Sequence, residues 1–195
     1  EVASRFVLLA GNQVGFELGP YDRTQQLVID PVLSFSSFLG GTNEEACSAI
    51  VNPPGTPIPG CPSIVVDAAL NMYIGGSTKS SDFPITPQPA TTPPPAAFQG
   101  TLKGTANAFI TKLDSSGAIV FSTYLGGDGV DYPAGLAVDT SSNVVVGGTT
   151  TSTNFPVQSA FQSGPTSANK HVFVSELDST GHTLKYSTYL SGSGN

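Results

Sequence analysis

The chain has 195 residues, of which 11% are charged, and a formal net charge of −7 with its seven Lys and Arg residues scattered. Nucleic acid and anionic membrane surfaces are recognised through clustered basic side chains, so this composition argues against both as partners. Twenty-two glycines, sixteen prolines and no sustained helical period indicate an all-β chain, and no apolar run approaches the ~20 residues of a membrane span.

Glu1 opens the chain with no basic or apolar leader, as expected of a processed chain or a fragment. Arg5–Leu9 and Val14–Leu18 read as two strands joined by a turn at Gly11-Asn12. After Gly19-Pro20-Tyr21-Asp22, the run Gln26–Asp30 reads as a strand stopped by Pro31.

From there the sequence repeats. Phe35-Ser36-Ser37-Phe38-Leu39-Gly40-Gly41 returns as Phe121-Ser122-Thr123-Tyr124-Leu125-Gly126-Gly127 and again as Tyr186-Ser187-Thr188-Tyr189-Leu190-Ser191-Gly192. Large apolar and small hydroxyl residues alternate in each copy, the period of a strand with one buried face. The aromatic residues at these spacings are expected in the core rather than stacked on a sugar. Between copies come two hairpins. The first is Ile64–Asp67 with Asn71–Thr78, matched by Leu136–Asp139 with Asn143–Thr150. The second is Ala108–Asp114 with Ala118–Val120, matched by Val172–Asp178 with Thr183–Lys185. Asp67, Asp139, Asp114 and Asp178 each stand beside a turn, where a carboxylate bonds nearby backbone. One repeat is four strands over about 65 residues, close to the length of a propeller blade. The expected segments are 1–30 as a lead-in, 31–120 as a first repeat, 121–185 as a second and 186–195 as the opening strand of a third.

The first repeat is lengthened by a loop holding Cys47 and Cys61 and by a proline-rich stretch, 86–101. The two cysteines lie in a loop with few apolar anchors and are expected to form a disulfide, which suits an oxidising compartment.

The strings Tyr-Ser-Thr-Tyr-Leu-Gly-Gly, Ala-Val-Asp, Gly-Gly-Thr-Thr, Phe-Pro and Phe-Val-x-x-Leu-Asp-x-x-Gly together resemble the SBBP (beta-propeller) repeat of secreted bacterial proteins. The lead-in from Gly19 to Pro31 is similar to the segment that precedes such repeats. The resemblance implies a secreted or cell-surface protein, usually without an assigned catalytic role. The fold expected is tandem four-stranded antiparallel repeats of propeller-blade type, as an incomplete propeller or an open β-array.

The search for chemistry yields little. His171 and His182 align with Asn107 and Ala118 in the other repeat, so neither belongs to a shared framework, and both are expected to be exposed histidines with no special role. Zinc lacks a His or Cys cluster. Asp128 and Asp131, on the glycine-rich loop after Leu125, are carboxylates a calcium ion would use; polar residues at a sheet corner explain the same letters. The function expected is a non-catalytic extracellular structural or adhesive protein assembling head-to-tail into a homopolymer or filament. The expected assembly edges are the strand containing Tyr186, Thr188, Tyr189 and Leu190 and the strand containing Phe6, Val7 and Leu8, because exposed edge strands pair with other chains. The alternative is a fragment of a propeller that binds a glycan or a surface protein.

Overall fold

The computed structural model describes residues 2–9, 13–25, 36–45, 63–85, 97–165 and 170–192. The chain divides into two compact units, Glu1–Ser36 and Ser37–Asn195. In the first, β1 (Ser4–Leu9) and β2 (Gln13–Leu18) form the expected antiparallel hairpin, with Ser4 opposite Leu18 and Leu9 opposite Gln13. Arg5 bonds Glu17 across it, and Gly19 N–H closes the open end on Ala3 O at 2.7 Å. The strand expected at Gln26–Asp30 lies outside the described residues.

The second unit contains two antiparallel meanders. The first sheet is β3 (Ser63–Val66), β4 (Met72–Thr78), β5 (Asn107–Leu113) and β6 (Ile119–Leu125), side by side in that order. The second is β7 (Asp131–Val138), β8 (Val144–Thr150), β9 (His171–Leu177) and β10 (Leu184–Leu190). Neither sheet closes on itself. The fold is therefore all-β and built of four-stranded sheets, as expected, but the repeat boundaries expected at 120/121 and 185/186 are not sheet boundaries. They cut through β6 and β10, each of which is hydrogen-bonded to the strand before it: Phe109 opposes Tyr124, and Phe173 opposes Tyr189. Tyr186–Leu190 thus lies within β10, the fourth strand of the second sheet, and does not open a third sheet among the described residues. The earliest copy of the motif departs further. Residues 36–41 form no strand, and Phe38 is fully exposed, because no strand lies beside them among the described residues.

Turn chemistry is the same in both sheets. Asp67 Oδ1 accepts from Ala69 and Asn71 N–H, both at 2.9 Å, and Asn71 Nδ2 donates to Oδ2 at 2.8 Å. Asp139 repeats all three bonds with Ser141 and Asn143. Leu70 and Ser142, each at φ 63°, hold the left-handed position between them, a conformation these carboxylate bonds stabilise. At the β5–β6 and β9–β10 turns the positive φ falls on Gly117 and Gly181.

The sheets stack face on face. Tyr73, Ala108, Ile110, Phe121 and Leu125 of the first pack with Val144, Val146, Phe173, Leu177 and Tyr189 of the second in one buried cluster. A smaller cluster, Phe83, Phe109 and Tyr124, covers the opposite face of the first sheet. The sequence that holds the two cysteines falls between two pairings along β4. Glu45 pairs with Thr78 and Ser63 with Gly75, as Asp131 pairs with Thr150 and Gly135 with Gly147. In sequence, 17 residues (46–62) separate the first two of these pairings, whereas three (132–134) separate the last two, at the bulge of β7. Cys47 and Cys61 lie outside the described residues.

Candidate functional site

The loop after each glycine pair is fastened by one carboxylate. Asp131 is fully buried and accepts from Gly127 N–H at 2.9 Å, Asn107 Nδ2 at 3.0 Å, Thr150 Oγ1 at 2.5 Å and Ser152 Oγ at 2.9 Å. Burial pushes its carboxyl pKa up, while these hydrogen bonds draw it down. Glu45 fills the same place in the first sheet, accepting from Gly41 N–H at 3.0 Å, Thr78 Oγ1 at 3.1 Å and Ser80 Oγ. Asp128 does a separate task at the surface, accepting from Thr153 N–H at 3.0 Å and Thr153 Oγ1 at 3.1 Å. A calcium site needs oxygen lone pairs converging on one point. Here donors converge on Asp131 instead, Asp128 serves a different loop, and the described residues hold no cluster of three His, Cys, Asp or Glu side chains fit for a metal ion. The pair is a set of loop anchors. His171, expected at the surface, is instead buried with its ring edge-on to Tyr189, 6.2 Å between centroids, and His182, after the Gly181 turn, is half-buried.

The expected assembly edge on β10 is already occupied. Ser187 N–H donates to Gln158 O at 2.8 Å and Gln158 N–H returns to Ser187 O at 3.0 Å; Tyr189 N–H donates to Gln162 O at 3.1 Å. Gln162 then reaches further, its Oε1 accepting from Ser191 N–H at 3.0 Å. Thr188 bonds Gln162 through its hydroxyl, and Tyr189 is a core residue whose hydroxyl accepts from Phe155 N–H and donates to Ser152 O. Gln99 covers β6 in the same way, with its carbonyl on Tyr124 N–H and its Oε1 on Gly126 N–H. Strand addition along β10 is therefore corrected: the main-chain groups it needs are spoken for. Sequence reasoning missed this device, although Ala97-Phe98-Gln99 and Ala160-Phe161-Gln162 repeat it letter for letter. Phe6, Val7 and Leu8 lie on β1, opposite Phe16, Gly15 and Val14 of β2.

What the second sheet leaves open is a face. Positions that the first sheet buries against its neighbour are exposed in the second: Ala108 is 0% exposed but its counterpart Val172 45%, and Leu125 0% but Leu190 43%. Leu136 packs onto Gly75, where a β-carbon would lie 2.8 Å from Leu136 Cδ1, whereas the equivalent Gly147 has nothing within 4 Å. Phe98 packs into the seam between the sheets and its N–H donates to Gly181 O at 3.3 Å, whereas Phe161 is 85% exposed. On the first sheet, Ile64 and Val66 are exposed where Leu136 and Val138 of the second sheet pack against the core. A shallow cleft between the first turns of the two sheets is lined by Val66, Asp67, Val138 and Asp139, and both carboxylates there are engaged by their own turns.

Residues 120–156 match the family described as Beta-propeller repeat (SBBP), and residues 1–32 match a Domain of unknown function (DUF7948). No curated protein matches the chain.

Proposed function

We propose that this chain, which carries the SBBP beta-propeller repeat, is a non-catalytic extracellular structural module whose repeats stack face to face and continue head-to-tail into a homo-oligomer or filament. The observation that carries this reading is the second sheet's open face: it presents, in the same register, apolar positions that the first sheet buries. Exposed apolar surface of this kind marks an interaction site on a soluble protein. The covered edges at β6 and β10 favour stacking over strand addition. Secretion is supported by the likeness to repeats of secreted proteins and by the presence of two cysteines that a disulfide could join. The alternative, a module binding a glycan or an unlike surface protein, draws only on the cleft between the turns, whose aspartates are committed to the backbone.

Sedimentation velocity over a concentration series, with electron microscopy of the largest species, tests the proposal. Growth of head-to-tail oligomers with concentration is expected. A folded monomer at every concentration would refute assembly, and hydrolysis of a glycan, ester or peptide that is lost on His171→Ala with the fold intact would refute the non-catalytic half.

A further inference from the structure

Three contacts within the seam inside this chain have counterparts at its open surfaces, and the chain carries an unused half of each. Leu136 seats on Gly75; Ile64, its counterpart, is exposed, and Gly147, the counterpart of Gly75, has open space over it. Phe121 lies against Gly181 so closely that a β-carbon there would overlap its ring. Its counterpart Tyr186 is half-buried on the open face, and Gly117, the counterpart of Gly181, has the same left-handed backbone at φ 87°. Phe98 N–H donates to Gly181 O, whereas Phe161 N–H and Gly117 O make no hydrogen bond among the described residues.

From these matched halves, and resting on the head-to-tail reading above, we infer that the open face of the β7–β10 sheet docks onto the β3–β6 sheet of a second copy, with Phe161 as the plug. In the docked pair Phe161 N–H donates to the partner copy's turn carbonyl, the Tyr186 ring covers the glycine of that turn, and an aliphatic side chain from the partner fills the space over Gly147. A second copy is the occupant because the required set is specific: an exposed branched aliphatic on the first strand, and a left-handed glycine turn with a free carbonyl at the far end of the sheet. This chain presents both, on one sheet, in the spacing that its own seam uses. The contact joins unlike surfaces, so each copy retains one open face after docking, and growth is head-to-tail.

The geometry allows a two-sided test with the full chain. Phe161→Asp spoils the open face and leaves the first sheet intact; Ile64→Glu does the reverse. Both positions are exposed, so folding is expected to be retained, with Val172→Lys as a second variant of the open face and far-UV circular dichroism as the check. In sedimentation velocity, each single variant is expected to self-associate at least tenfold more weakly than the wild type. An equimolar mixture of Phe161→Asp and Ile64→Glu is expected to form one heterodimer and nothing larger, since only one intact pair of faces remains. If all three variants assemble like the wild type, the contact lies elsewhere; this inference falls while head-to-tail assembly stands. If the variants fail singly and the mixture stays monomeric, the two faces are not each other's partners and the inference also falls. A monomeric wild type removes both readings, and wild-type association only with an unlike protein removes the second copy as occupant.

Discussion

The Asp131 anchor offers the sharpest measure of what holds a repeat together. Replacing it with alanine deprives four donors of their acceptor. The hydroxyls of Thr150 and Ser152 can rotate toward other acceptors, but Gly127 N–H and Asn107 Nδ2 have fixed directions, although Nδ2 keeps bonds to Ala106 O and Gly127 O. A hydrogen bond to a charged group contributes about 1.5–3 kcal/mol, and an unpaired buried donor costs about 1–3 kcal/mol. Neutralising a buried carboxylate recovers part of its desolvation cost, which offsets the loss. The balance is about 3 kcal/mol for Asp131→Ala and about 2 kcal/mol for Asp131→Asn, which keeps one acceptor. Glu45→Ala removes a less buried copy of the same anchor and should cost about 1 kcal/mol. The chain lacks tryptophan, so urea unfolding followed by far-UV circular dichroism is the suitable assay. Because burial raises the folded-state pKa of Asp131, its proton linkage stabilises the fold below the unfolded pKa and fades as pH rises through the folded one. The margin of wild type over Asp131→Asn should therefore be wider in acid than at neutral pH. An Asp131→Ala variant within 0.5 kcal/mol of wild type, about the scatter of ordinary surface changes, would refute the anchor.

The turn aspartates give the opposite pH response. Side-chain bonds from Asn71, Ser116 and Asn143 hold the carboxyls of Asp67, Asp114 and Asp139 below their ordinary range, so their contribution is present above the unfolded pKa and is lost as pH falls through the folded values. Urea midpoints should fall below about pH 4, and less steeply in an Asp67→Asn/Asp139→Asn double variant. A disulfide between Cys47 and Cys61, expected from the sequence, would contribute about 3 kcal/mol in the chain-entropy model. Intact mass after alkylation without reductant should show no added alkyl groups, and two would refute the pairing.

Much of the fold was legible because its rules are local. Asp67-Ala68-Ala69-Leu70-Asn71 and Asp139-Thr140-Ser141-Ser142-Asn143 share the two residues whose side chains build the turn, and alternation marked the strands on either side. Sheet membership was not legible, for a physical reason. The match over 120–156 runs through β6, β7 and β8, so one sequence repeat begins in the last strand of one sheet and continues into the next. Letter similarity finds the repeat, but only hydrogen bonding finds the sheet. The anchors were obscured because Glu45 and Asp131 differ in type while doing the same work. The edge covers at Gln99 and Gln162 were hidden by the unequal loops before them, 19 residues from Thr78 to Phe98 against 10 from Thr150 to Phe161.

The offset between repeat and sheet bears directly on assembly. Since each repeat supplies the last strand of one sheet and the first strands of the next, the backbone itself crosses every seam, at Gly126–Val130 in this chain. Stability is then shared between neighbours, as in other arrays whose units contact only the units beside them. A seam made between two chains lacks that covalent crossing and must rely on side chains and one main-chain bond. The plug position is therefore expected to matter more there than inside the chain. Phe98 is helped by a tether that holds its sheet against the next, whereas Phe161 must supply affinity without one. Burying a phenylalanine contributes about 1.5–3 kcal/mol, a tenfold to hundredfold change in association. A substitution at Phe98 should accordingly loosen a seam that the chain still holds together, while the same substitution at Phe161 should separate two molecules.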